Sequence, residues 1–194
     1  MNTIRVHSLN PSDAVLLLVD FVNPLNFDGA DRLHASALAA ASQTARLRRR
    51  FSAAGLRTVF ANDNYGLWDT DFKSLWKSCA ARRGPSGQIA TILRPRAKDF
   101  ALLKPRHSGF YATPLHILLQ QLECKKVVVT GIAADSCVLF TAMDAYLRGY
   151  AVWVPVDCVA AETREARDKA LDQMARVMKA DTRPSTDSEV LSAR

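Results

Sequence analysis

The chain has four cysteines among 194 residues, Cys79, Cys124, Cys137 and Cys158, and no two of them form a CxxC pair. So wide a scatter excludes a zinc knuckle, a thioredoxin-like redox pair and a disulfide framework, and reduced thiols are expected. GxGxxG and P-loop patterns are missing, which argues against an ordinary dinucleotide-dependent dehydrogenase and a nucleotide hydrolase. Long apolar runs are also lacking: the first one, Ala14-Val15-Leu16-Leu17-Leu18-Val19, stops at Asp20, and the polar stretch before it has no secretory core. A soluble, cytoplasmic protein with no membrane contact is the expectation. Histidine is sparse, with none between His34 and His107, and no internal repeat, linker or low-complexity tract interrupts the chain.

What is present suits one well-buried α/β domain over residues 1–194, since 48% of the residues are hydrophobic and the length is short for two domains. Net charge is +7, from 26 basic against 19 acidic residues. The excess is dispersed over Arg46, Arg48, Arg49 and Arg50 late in an Ala-rich helix and Arg82, Arg83, Arg94, Arg96 and Lys98 around a loop. With no nucleic-acid-binding motif beside them, they read as a solvated surface, and no nucleic-acid partner is expected.

Apolar strands alternate with amphipathic helices along the chain. A helix from Arg32 presents Leu33, Ala37, Ala40, Ala41, Thr44, Leu47 and Phe51 on one face and ends at Gly55. A strand from Arg57 runs into the turn Asp63-Asn64-Tyr65-Gly66, and a helix spans residues 71–83. After a Gly84-Pro85-Ser86-Gly87 break come a short helix at 88–94, a strand at 99–103, and a helix started by Thr113-Pro114. Strands at 126–130 and 151–156, with Asp157 as a structural residue, bracket a helix whose N-cap would be Asp135. The last helix, 163–180, turns Leu171, Met174, Val177 and Met178 inward, and a short strand or polar tail follows. This alternation implies a three-layer αβα domain around a mostly parallel sheet of about six strands, Rossmann-like but without a dinucleotide site.

Val127-Val128-Val129-Thr130-Gly131-Ile132-Ala133-Ala134-Asp135-Ser136-Cys137-Val138 carries the functional signal. It reads as a buried strand, a turn at Gly131 and a helix start holding Cys137. Unpaired amides and the helix dipole at such a start favour thiolate and can bind an oxyanion. A plain buried cysteine is the alternative. Asp20 ends one apolar strand and Lys104 another, and in an open parallel sheet such strand ends share one crevice. An acid, a base and a thiol would then meet.

These residues resemble the isochorismatase-like cysteine hydrolases, a family that includes nicotinamidases, carbamoylsarcosine-type amidases and isochorismatases. LLLVDFVNP around Asp20, LLKPRHSGFYATPL from Lys104 and VVVTGIAADSCVLFTAMDAYLRGYAVWVPVD around Cys137 carry the resemblance, in the family's order and over most of the chain. It implies an Asp20, Lys104, Cys137 catalytic triad, an oxyanion hole from the amides of Ala133 and Cys137, and a cis Ile132–Ala133 peptide. It further implies a homodimer or larger homo-oligomer. His107 and Ser108 are candidates to touch a small-molecule substrate, and Phe21, Trp68, Phe110 and Tyr111 to line its pocket.

The sequence departs from the family at two places. Nicotinamidases carry an Asp-x-His pair and a further His that hold a metal. The matching loop here is Asp63-Asn64-Tyr65-Gly66-Leu67-Trp68-Asp69, without imidazole, so no metal, no cofactor and a substrate other than nicotinamide are expected. The family's Thr before the nucleophile is Ala134 here. The leading expectation is hydrolysis of a small amide, carbamoyl or ureido compound through a Cys137 thioester. Isochorismatase-type vinyl-ether hydrolysis with Asp20 as acid is the second. A non-catalytic binding or scaffold protein on the same fold is the third.

Overall fold

A computed structural model describes residues 9–187. Strand β1 (Ala14–Val19) is buried at all six positions, as a strand covered on both faces must be. β2 (Arg57–Asp63) and β3 (Phe100–Lys104) extend the sheet on one side of it, β4 (Lys126–Ile132) and β5 (Ala151–Trp153) on the other. The order β3-β2-β1-β4-β5 is parallel throughout, and the short strand β6 (Val159–Ala160) pairs with the end of β4. The side on which successive strands are added therefore switches between β1 and β4, where an open sheet forms its ligand crevice.

Alternate residues of the central strands face opposite layers. Leu16, Leu18, Phe60 and Val128 pack under α1 (Ala30–Ala53), α2 (Phe72–Ala80) and α3 (Pro85–Ile92). Val15, Leu17, Val59, Val127 and Val129 pack under α4 (Leu115–Gln121), α5 (Leu139–Leu147) and α6 (Arg164–Met178). The result is the expected three-layer αβα domain with a six-stranded sheet. Among the described residues, no helix is long and apolar enough to cross a membrane.

Several local expectations are corrected. The break between the two helices is shorter than the Gly84 to Gly87 stretch: Gly84 is the N-cap at φ 81°, and Pro85 is already the first residue of α3. Gly131 lies inside β4 at φ 140°, and a Cβ there would come 2.1 Å from the Val19 carbonyl oxygen, so its role is close backbone approach between β1 and β4. β5 stops at Trp153, and Asp157 falls in a 3-10 turn (Val156–Cys158), where its carboxylate accepts from the Ser185 amide and hydroxyl. β6 was not legible, because two residues carry no periodicity. Val177 is 52% exposed, on the flank of the face that buries Leu171, Met174 and Met178. At the C-terminal end Asp181 makes one parallel bridge to Trp153, residues 182–187 follow as coil and turn without a strand, and the rest of the expected strand or tail lies outside the described residues.

Arg48 also departs from the solvated surface read for its neighbours. It is buried between α1 and the sheet, pairs with the Asp99 carboxylate, donates 3.0 Å to the Arg94 carbonyl, and lies 5.3 Å from the Phe60 ring centre. Its Nε finds no partner, and burial pulls its pKa down against the hold of Asp99. Removing one member of such a pair strands the other charge, so Asp99→Ala should destabilise the fold by about 3–5 kcal/mol. Urea unfolding checks this, with a lowered midpoint and an unchanged slope as the expected result.

Candidate active site

Asp20 follows β1 directly and adopts φ 51°, a left-handed conformation that Asp tolerates better than most residues. Its amide donates to the Ala61 carbonyl at 3.2 Å, which ties the turn to β2. The next residues are fixed by Asn62, a fully buried side chain: its Oδ1 accepts from the Val22 amide at 3.1 Å and its Nδ2 donates to the Val22 carbonyl at 2.9 Å. The Asp20 carboxylate is thereby turned inward, where Oδ1 accepts from the Asp63 amide at 2.6 Å and Oδ2 meets Lys104 Nζ at 2.8 Å.

Lys104 ends β3 beside Asp63 of β2 and has no exposed surface. Its ammonium is shared among Asp20, Asp63 Oδ2 at 3.4 Å and Cys137 Sγ at 3.5 Å. Cys137 arrives from the other side of the switch point. After the cis Ile132–Ala133 peptide the chain makes a π turn (Ala134–Val138) before α5 begins. Asp135 is exposed and caps nothing; Ala133 occupies the cap position, and its carbonyl accepts from Ser136 and Val138 amides at 3.1 and 3.2 Å. The turn leaves Cys137 partly exposed, whereas Cys79, Cys124 and Cys158 are buried.

The six substrate-contact candidates separate. His107 stands beside the nucleophile, with Nδ1 3.6 Å from Cys137 Sγ and 3.5 Å from Ser136 Oγ. Phe21 is buried in the α1 layer and Phe110 in the α5 layer, where Phe110 packs on Tyr150 and Arg148; both are core residues, because apolar neighbours on opposite sheet faces enclose them. Trp68 and Tyr111 stand in solvent, 82% and 59% exposed. Ser108 turns away from the thiol to donate to the Asp144 carboxylate.

Burial pushes the Asp20 carboxyl upward, against the lowering pull of the Lys104 ammonium. Burial draws Lys104 down, but the charges of Asp20 and Cys137 outweigh it and leave the ammonium raised. The Cys137 thiol is pushed up to about 12, by burial first and by Asp20 second, with Lys104 opposing. This reverses the lowered pKa read from a helix start. The π turn places the sulfur where desolvation and a carboxylate dominate over helix-end amides. Cys137 thus rests as a thiol with a carboxylate beside it, an arrangement that can support proton removal from sulfur.

A three-ligand metal site does not fit this chain. Tyr65 occupies the imidazole position of the Asp-x-His pattern, donating its hydroxyl to the Val22 carbonyl at 3.1 Å, and Asp63 is committed to the Tyr65 amide and to Lys104. Among the described residues, no group of three or more His, Cys, Asp or Glu side chains is placed to hold a metal ion.

Asn62, Thr141 and Asp144 were not singled out in the sequence. All three act through positions that only the folded loops bring together, and a lone Asn, Thr or Asp gives no periodic signal.

The profile of the Isochorismatase domain matches residues 14–183. An uncharacterised isochorismatase family protein of Bacillus subtilis, YaaI, is 36% identical over 170 residues, covering 88% of this chain and 93% of that protein. Ureidoacrylate amidohydrolase RutB of Methylorubrum extorquens is 44% identical over a local stretch of 62 residues, 32% of this chain and 25% of that protein. The crystal structure of N-carbamoylsarcosine amidase from Thermoplasma acidophilum superimposes with a TM-score of 0.72 at 29% identity, covering 91% of this chain and 99% of that one. Matched over nearly its whole described length, with the motif residues gathered at the sheet's switch point, the chain belongs to the isochorismatase family of hydrolases.

Proposed function

We propose that this protein is a cysteine amidohydrolase acting on a small carboxamide, carbamoyl or ureido compound. The observation that carries the reading is one buried ammonium, Lys104, touching both a carboxylate, Asp20, and a thiol, Cys137. N-carbamoylsarcosine amidase and ureidoacrylate amidohydrolase, two of its relatives, are named for bonds of this class.

In this reading Asp20 takes the thiol proton as Sγ bonds to the carbonyl carbon. The carbonyl electron pair moves to oxygen, where backbone amides of Ala133 and Cys137 receive it. As the C–N bond breaks, Asp20 passes the proton to the departing nitrogen, leaving a thioester on Cys137. Lys104 keeps Asp20 anionic enough to act as a base despite its burial. Vinyl-ether hydrolysis remains the second reading on one observation, the raised carboxyl of Asp20, which also suits an acid.

Asp20→Asn, Lys104→Ala and Cys137→Ala should each lower turnover of a small ureido or carboxamide substrate at least about a hundredfold while the fold survives. Ammonia release and circular dichroism check it; a Cys137→Ala protein that keeps its turnover supports the acid-catalysed reading instead. Chelation with EDTA should leave the native rate unchanged, and loss of activity restored by zinc or manganese would contradict the metal-free reading.

The charge balance at the thiol gives a further expectation. Asp20 raises the Cys137 pKa and Lys104 lowers it, so Asp20→Asn leaves only the lowering charge and increases the thiolate fraction, about tenfold for each unit recovered. Iodoacetamide at pH 8 should therefore modify Cys137 faster in Asp20→Asn than in the native protein, even as turnover collapses. Slower modification, read by peptide mapping, would mean that Asp20 also serves as base toward the alkylating agent.

A further inference from the structure

The thioester reading requires a second proton transfer, from the water that hydrolyses the intermediate, and Asp20 is poorly placed for it. The carboxylate is buried beneath Sγ, with one oxygen held by the Asp63 amide and the other by Lys104. Cys137 is itself partly exposed, and His107, also exposed, stands beside it with Nδ1 3.6 Å from the sulfur.

The ring is held in place from α5. Gly109 donates its amide to Thr141 Oγ1 at 3.0 Å, while Thr141 donates to the Cys137 carbonyl at 2.7 Å, so a single hydroxyl joins the His107 loop to the nucleophile's own turn. Ser108 donates to the Asp144 carboxylate and accepts from the Phe110 amide at 3.1 Å. The imidazole itself stacks on Phe140, with ring centres 5.4 Å apart and planes 21° from parallel. A solvated loop histidine has no need of such anchoring, and each anchor comes from the helix that follows Cys137.

Building on the thioester reading, we propose that His107 is the catalytic base and acid of deacylation. It takes one proton from water as the water oxygen bonds to the thioester carbon. When the tetrahedral intermediate collapses, the C–S bond breaks with its electron pair on sulfur, and the imidazolium returns that proton to Sγ. The product leaves as an acid, and Cys137 regains its thiol. Asp20 and His107 thus divide the two half-reactions: the buried carboxylate serves the leaving nitrogen, and the solvent-side imidazole serves water.

The test uses His107→Ala with p-nitrophenyl acetate, which acylates a cysteine and releases a leaving group that needs no proton. Stopped-flow absorbance should show a first-turnover burst of p-nitrophenolate within about threefold of the native rate. Steady-state release should fall by at least about tenfold, toward the hundredfold scale of a lost proton carrier. Intact-mass measurement should find an acetyl group accumulating on Cys137 and absent from Cys137→Ala, and added imidazole should restore steady-state release. If burst and steady state fall together, or if the adduct decays as fast as in the native protein, His107 does not serve deacylation. If neither native protein nor variant ever carries an acetyl group on Cys137, the thioester reading fails, and the division of labour with it.

Discussion

A lysine ammonium with no access to water is the constraint on which the centre of this molecule depends. Leaving such a charge unpaired in a protein interior is prohibitive, so Lys104 can be buried only if anionic groups converge on it. Asp20 at the end of β1 and Asp63 at the end of β2 do so, and Lys104 itself ends β3. Three adjacent strands must therefore finish in register. Parallel pairing of Asp63 with Lys104, and the approach of Gly131 to Val19, hold that register. The third contact, to Cys137, crosses the switch point between β1 and β4, so one side chain joins both halves of the sheet.

The same pair sets the state of the thiol. A cysteine at a regular helix start would feel mainly backbone amides, but the π turn delivers Sγ into a desolvated space shared with Asp20. Burial and the carboxylate outweigh the ammonium there. The Cys137 thiol rests protonated, which limits stray alkylation or oxidation of the sulfur. Loop 107–110, pinned to α5 through Thr141 and Asp144, closes the solvent side of this arrangement without burying it.

The loop after β2 departs from the Asp-x-His pattern. Tyr65 stands where the Asp-x-His pattern places an imidazole, and its hydroxyl is spent on the Val22 carbonyl. Asp63 is the second anion of the Lys104 site. Asn62 clamps the same Val22 peptide from β2, so a polar network among side chains and backbone fixes this loop.

By itself the sequence determined the αβα class, the buried face of α1, that of α6 apart from Val177, and Asp20, Lys104 and Cys137 as the residues to watch. Those features are written in local terms: continuous apolar runs for strands buried on both faces, a 3.6-residue stripe for helices, and charged or nucleophilic residues placed where the runs stop. Only tertiary structure decided the rest. Phe21 and Phe110 became core residues, because aromatic character does not say which layer a ring faces. Arg48 went inside, because Asp99, far away in sequence, was there to meet it. Cys137 became a high-pKa thiol rather than a thiolate, since its proton affinity is set by the carboxylate and the desolvation around it. Asn62, Thr141 and Asp144 acquired their roles from loops that meet only after folding. What depends on neighbours along the chain could be read from it, and what depends on charge and burial across it could not.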